Sequence, residues 1–303
     1  MKPIVNLGIF VADAAFRAAR MPKMGETILG NGFALGPGGK GSNQSVASAM
    51  AGGKVHFITR LGDDDFATMA RGIWARAGVT PEVTVDSESF TGAAMIFLED
   101  ATGNNAIIVT PGAASRITPA DVEARASLIQ SAGIFMTQLE QPIPAAQRGL
   151  ELARAAGVTT ILNPAPAATL PDAMLQLCDY LTPNESEAEA LTGLPVTSVA
   201  EAKIAAAALL AKGVGAVVIT LGAQGALYHD GKTTLHTTVI AAGKVVDTTG
   251  AGDAFNGGFA VALAEGMPIE TALRFASATA GISVTRPGTA GSMPSRAEIE
   301  ALL

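Results

Sequence analysis

A single cysteine, Cys178, in 303 residues excludes an internal disulfide and fits a reducing, cytoplasmic setting. A lone thiol of this kind reads first as a small buried hydrophobe. Aromatic residues make up only 5% of the chain. That is too few for an aromatic-rich β-sandwich, and the abundant Ala and Gly favour helices packed closely on a sheet. Positive charge is short too: 20 Lys and Arg face 27 Asp and Glu, for a net charge of −7. A broad nucleic-acid or anionic-membrane surface is therefore not expected. A local phosphate pocket stays open, because backbone dipoles do not enter the net charge. The histidines, His56, His229 and His236, have no metal-ligand spacing. Neither G-x-S-x-G nor a Ser-His-Asp order occurs. There is also no long unbroken apolar run. "IAAAALLAKGVGAVVITLGA", from Ile204, is interrupted by Lys212 and two glycines. It reads as a helix, a turn and a buried strand, and no membrane span is expected. "MKPIVNLGIFVAD" lacks the long apolar region of a signal peptide, and Ile4–Ala12 is expected as the first strand.

What the chain does have is a rhythm. Apolar segments such as "KVHFITR", "GIFMTQL", "VTTILN", "DYLTPN" and "VGAVVITLG" alternate with helical ones such as "DDFATMARGIWARAG" and "IPAAQRGLELARAAG". The alternation predicts an α/β fold, with a central, mostly parallel sheet covered by helices on both faces. The part after Asp253 reads as mostly helical. Two stretches break the rhythm. Gly25–Gly39 alternates apolar and polar residues between glycines, and Thr91–Ala113 reads as two strands around a Gly-Asn turn. They predict a small antiparallel β lid, made of insertions at about 13–39 and 91–113, on one domain spanning 1–303.

Glycines cluster twice. In "VVDTTGAGDAFNGGFA" (Val245–Ala260), Gly250, Ala251 and Gly252 precede Asp253 where a helix begins. Free N–H groups and the helix dipole suit an anion such as phosphate, and glycines let it approach. A carboxylate repels phosphate, so Asp253 reads either as a helix cap or as the base that takes a proton from the attacking group. In "GPGGKGSNQ" (Gly36–Gln44) the P-loop pattern fails, because Ala34 and Gly41 stand where Gly and Ser or Thr are needed. Gly36, Gly38 and Gly41 do match G-x-G-x-x-G, with Asp63–Asp65 downstream, which leaves a dinucleotide-binding oxidoreductase as a remote alternative. Lys40, Asn43 and Gln44 together suit a polyhydroxylated ligand. Asn184 and Glu187 read as a helix cap or as groups delivered to a Mg²⁺–phosphate site. Thr220–Gly225 reads as a turn into a hairpin or as a nucleotide-cradling loop. Glu140 ends a strand as a loop carboxylate.

Together "GGKGSNQ" and "DTTGAGDAFNGGF" resemble the two signatures of the ribokinase (PfkB-type) carbohydrate kinase family. "GIFVAD", "LNPAPA", "TPNESEAE", "TLGAQG" and "VTRPGTAGSMPS" fall in the family's order, so the likeness covers almost the whole chain. The resemblance implies ATP-dependent transfer of the γ-phosphoryl group to a primary hydroxyl of a small sugar. Ribose is the first expectation; deoxyribose, a keto-sugar acid or a nucleoside are alternatives. It implies Asp253 as general base and Gly250, Ala251 and Gly252 as an anion hole. Asp13, Gly39, Lys40, Gly41, Asn43 and Glu140 are expected to hold the sugar. Asn184, Thr220, Leu221, Gly222, Ala223, Gln224, Gly225, Gly252 and Ser277 are expected around ATP, with Glu187 organising Mg²⁺. A K⁺ ion is expected among Asp247, Thr249, Ser283, Arg286, Gly288 and Ser292. A homodimer joined through the lids, with no nucleic-acid or membrane partner, completes the expectation. One departure is visible: an ungapped match of "GIFVAD" puts Val11 where ribokinases carry an asparagine that meets the sugar.

Overall fold

Short apolar segments build two sheets in the computed structural model, which describes residues 1–303. The strands, in chain order, are β1 (Ile4–Leu7), β2 (Val11–Ala18), β3 (Gly32–Gly38), β4 (Val55–Leu61), β5 (Thr80–Val85), β6 (Thr91–Glu99) and β7 (Asn105–Gly112). They continue with β8 (Ile134–Thr137), β9 (Thr159–Leu162), β10 (Tyr180–Leu181), β11 (Ala216–Thr220), β12 (Ala226–His229) and β13 (Thr234–Thr237). The larger sheet has nine strands in the order β13-β12-β11-β10-β9-β8-β1-β4-β5. Every neighbouring pair from β11 to β5 is parallel; β12 and β13 are antiparallel additions at one edge.

Helices cover both faces. Helices α1 (Lys40–Met50) and α2 (Asp65–Ala77) lie on the first. The second carries α3 (Pro119–Glu123), α4 (Ala126–Ser131), α5 (Ile143–Ala155), α6 (Asp172–Leu175), α7 (Glu185–Thr192) and α8 (Val199–Ala211). The chain then returns to the first face with α9 (Ala251–Ala264), α10 (Ile269–Ser283) and α11 (Arg296–Leu302). Because strand side chains alternate, the sheet feeds two cores. In β11, Ala216 and Val218 pack into one and Val217 and Ile219 into the other. Few aromatics are needed: Trp74 is fully buried, meets Phe10 and Phe57 edge-on, and its Nε1–H donates to Ser42 Oγ at 2.9 Å. No helix is long and apolar enough to cross a membrane.

The smaller sheet has the order β3-β2-β6-β7. Its outer pairs are antiparallel and its central β2–β6 pair is parallel. The β6–β7 hairpin closes where the Gly-Asn turn predicts it. Three details differ from the sequence reading. Ile4–Ala12 is not one strand: β1 ends at Leu7, and after Gly8–Phe10 the chain enters the other sheet as β2. In Gly25–Gly39 only Gly32–Gly38 is strand. The edge strand β5 carries Pro81 and few apolar residues, so its composition does not announce it.

Candidate active site

Strands β8, β9, β10 and β11 run parallel, so their C-terminal ends open on one edge of the sheet. That edge is where open α/β sheets bind ligands. There the chain delivers Glu140, Asn163, Thr182, Asn184 and Thr220, the last two joined by an isolated parallel bridge. Asn163, Ala165, Thr182, Asn184, Glu187 and Thr220 line a cleft together with Lys40, Thr248, Asn256 and the Gly250–Asp253 turn.

The start of α1 is shaped by close backbone approach. Gly39 has φ +87°, and a Cβ there would lie 2.5 Å from the carbonyl oxygen of Ile9. A Cβ on Gly41 would lie 2.7 Å from Cα of Gly8. The turn therefore docks against the Gly8–Phe10 link and sets Lys40 at the first position of the helix. The Lys40 backbone N–H donates to Glu140 Oε2 at 2.7 Å. Burial alone would lower the Lys40 ammonium, but Asp253, Glu140 and Glu187 outweigh it and hold it above the usual lysine value. Burial pushes the Glu140 carboxyl up to about 7 against the opposing charge of Lys40. It pushes Asp13 up to about 6. The Asp13 carboxylate lies so close to Gly38 that a Cβ there would be 2.3 Å from Oδ2, and its charge is felt at Glu140. Val11, two residues away on the same strand, is 5% exposed and pairs in register with Gly38. Gly41 sits behind the cleft wall, and its carbonyl accepts from Asn6 Nδ2 at 2.8 Å.

Helix α9 begins at Gly250, whose φ is +78°. The first backbone N–H to return to it is that of Ala254, at 2.9 Å, and Ala251 N–H bonds Thr248 O at 3.2 Å. The N–H groups of Gly252 and Asp253 are thus left without backbone partners at the positive end of the helix. Asp253 is only 7% exposed. Its Oδ2 accepts from Asn43 Nδ2 at 3.0 Å and its Oδ1 from Gln44 Nε2 at 3.1 Å. Burial raises its proton affinity; the Lys40 charge and the two amide donors oppose this. Asn43 keeps a buried Oδ1 with no partner.

At α7 the cap reading of Asn184 and Glu187 is met. Asn184 Oδ1 accepts from Glu187 N–H at 2.8 Å and Glu187 Oε2 from Asn184 N–H at 2.9 Å, a reciprocal cap, yet both residues also line the cleft. Within 220–225, Thr220 lines the cleft, Leu221 is buried, and Gln224 Nε2 donates to Thr197 O at 3.4 Å. Gly222, Ala223, Gln224, Gly225 and Ser277 of α10 lie outside the cleft lining. Five lining residues carried no expected role: Asn163, Ala165, Thr182, Thr248 and Asn256. All lie inside "LNPAPA", "TPNESEAE" or "DTTGAGDAFNGGF", where the signal was present.

Behind the Gly250 turn, Asp247 Oδ1 accepts from Thr249 N–H and Oδ2 from Gly288 N–H, both at 2.9 Å. These bonds hold the Asp247 carboxyl below the usual aspartate value, although burial raises it. Asp247 N–H reaches Val284 O at 3.2 Å, so the 283–288 segment lies against it. Ser292 is fully buried, with Oγ donating to Thr289 O at 2.7 Å, and the Arg286 side chain pairs with Glu298.

A buried acid beside two free N–H groups, faced by a half-buried lysine at the ligand edge of a parallel sheet, defines a group-transfer enzyme acting on an anionic donor. The chain belongs to the pfkB family of carbohydrate kinases, whose family model matches residues 1–296. It is 38% identical to a ribokinase of Haemophilus influenzae over 299 residues, covering 98% of this chain and 97% of that one. It is 35% identical to a deoxyribokinase of Salmonella typhi over 294 residues, covering 96% and 95%. A structure of Arabidopsis thaliana ribokinase complexed with ribose and ATP superposes with a TM-score of 0.92 at 33% identity, covering 99% of this chain and 98% of that one.

Proposed function

We propose that the protein phosphorylates a primary hydroxyl of ribose with ATP, with Asp253 as the general base. The observation that carries this reading is the placement of Asp253. It is buried, bonded to Asn43 and Gln44, and stands within the charge field of Lys40 at a helix start with free N–H groups. The sugar hydroxyl gives its proton to Asp253 while its oxygen bonds the γ-phosphorus, and the bond to the β-phosphate oxygen breaks to release ADP. The free N–H groups of Gly252 and Asp253, held by the Gly250, Ala251 and Gly252 turn, face the charge that develops on the transferred group.

Asp13, Gly39, Lys40, Asn43 and Glu140 hold the sugar, and the unpaired Asn43 Oδ1 awaits a hydroxyl donor. Gly41 acts from behind, by letting α1 dock on Gly8. Asn184, Thr220–Gly225, Gly252 and Ser277 hold the nucleotide. Glu187, a carboxylate on the cleft wall, fits Mg²⁺, which is commonly bound by one or two carboxylates together with phosphates and water. When bound, Mg²⁺ neutralises phosphate charge. The whole chain, 1–303, acts as one cytoplasmic unit. Its smaller sheet serves as a lid that keeps water from the phosphoryl group. The lid exposes Phe16, Phe33, Leu35, Ile107 and Ile108, which supports a homodimer joined there.

The test is ADP release over a panel of sugars and nucleosides with Mg²⁺ and K⁺. Ribose as a leading acceptor is expected; no ADP release with any pentose overturns the reading.

The all-oxygen set at Asp247 fits a hard monovalent cation. Asp247 supplies an ionised carboxylate; Thr249, Ser283, Arg286, Gly288 and Ser292 would add carbonyl or hydroxyl oxygens. K⁺ there would brace the Gly250 turn without touching substrate. Replacing K⁺ by a bulky organic cation at constant ionic strength is expected to lower the rate several-fold. Unchanged rates in fully K⁺-free buffer remove the cation from this reading.

A further inference from the structure

Behind Asp253 a chain of buried carboxamides runs into the fold. Asn6 Nδ2 donates to the Gly41 carbonyl at 2.8 Å. Gln138 Nε2 donates to Asn6 Oδ1 at 3.0 Å and to Gln44 Oε1 at 2.6 Å. Gln44 Nε2 then donates to Asp253 Oδ1 at 3.1 Å and to Asn163 Oδ1 at 3.0 Å. Asn163 Nδ2 ends the chain on the Thr182 carbonyl at 2.8 Å. Asn6, Gln44 and Gln138 are fully buried. An amide can point either end at a neighbour, but a backbone carbonyl only accepts. The carbonyls of Gly41 and Thr182 anchor the two ends, so every amide between them has one allowed direction. Gln138 is itself fitted into a notch: a Cβ on Gly8 would lie 2.5 Å from its Oε1, and one on Gly41 would lie 2.9 Å from it.

We propose that Gln138 is a positioning residue for the transfer step, turning the donor end of Gln44 onto Asp253 so that the carboxylate keeps one oxygen bonded from behind and its ionised form ready. Gln138 acts at one remove and leaves sugar and nucleotide contacts alone. The charged groups facing Asp253 are Lys40 of α1, Glu140 after β8 and Glu187 of α7. The buried residues of α10 and the strand β1 bring none. Without Gln138 only Asn163 would direct Gln44, and each turn of the Gln44 carbonyl toward the carboxylate would favour the protonated acid. The inference rests on Asp253 being the base.

The experiment is the pH profile of kcat/KM for ribose with ATP. In Gln138→Met, which carries no charge, the acid limb is expected to move up by about half a pH unit, and in Gln138→Glu by about one. Above the limb, KM for ribose and for ATP stays within about two-fold of the wild type. A limb left at its wild-type position in a folded variant overturns the proposal, as does a pH-independent loss of kcat. A second measurement uses the unaltered protein with isotope-labelled glutamine side chains. One Gln44 amide proton should titrate with the kinetic limb, and an amide signal that does not respond overturns the proposal whether or not the variants fold. Turnover that survives Asp253→Asn rejects the base itself; an inactive Asp253→Asn with an unmoved limb in Gln138→Met rejects only the relay.

Discussion

Asp253→Asn lowers kcat by at least about 100-fold, the scale of general-base catalysis, while ATP still binds. The substitution keeps the size of a side chain that is only 7% exposed, so the cleft is not emptied. The new amide still accepts from Gln44, but its NH₂ confronts Asn43 Nδ2, now bonded at 3.0 Å. Turning Asn43 around repairs that clash, because its unpaired Oδ1 then meets the new donor. The fold survives, and what is lost is the site that receives the hydroxyl proton. The wild type carries a matching signature. Burial raises the proton affinity of Asp253, so its ionisation is expected to add to the acid limb above the ordinary aspartate range, beside Asp13 and Glu140, with activity falling as pH drops through it. Turnover near the wild-type rate at saturating ribose removes Asp253 from the role of base.

The second large effect concerns selectivity. Val11→Asn is expected to raise the preference for ribose over 2-deoxyribose by roughly 5- to 150-fold. That is the equivalent of the roughly 1–3 kcal/mol lost when a buried hydroxyl has no partner. Val11 and Asp13 point to the same side of β2 because side chains alternate along a strand. Valine neither donates nor accepts a hydrogen bond, so a sugar hydroxyl facing it gains nothing over the deoxy compound. The measurement is kcat/KM for both sugars in wild type and variant. A wild type that already prefers ribose by more than about 1000-fold sinks the idea, because Val11 then imposes no such penalty.

The sequence made the alternating architecture, the β6–β7 hairpin and both glycine clusters legible, since each rests on a local pattern. The break at Gly8–Phe10 was not, because Ile9, Phe10 and Val11 are all buried and apolar, like the strand before them. Periodicity reports burial, not which sheet buries a residue. The amide chain was hidden for a related reason. Asn6 and Gln138 interrupt apolar runs with no fixed spacing between them, and their partnership exists only after β1 and β8 pair. Gly41 shows the converse. The sequence marks it clearly, but its neighbours Gly8 and Gln138 are set by tertiary approach, so its place behind the cleft could not be read.

The hydrogen bond from Asn43 to Asp253 joins residues 210 apart in the chain. A growing chain on the ribosome therefore carries the α1 side of the cleft long before it carries the acid. Until the last quarter of the polypeptide has emerged, β1, β4 and β8 can pair, yet no phosphoryl group can be transferred. Such distant closure is slow to form. Regained turnover is thus expected late in refolding, behind the return of helical signal, so that enzyme activity would report completion of the fold rather than its beginning.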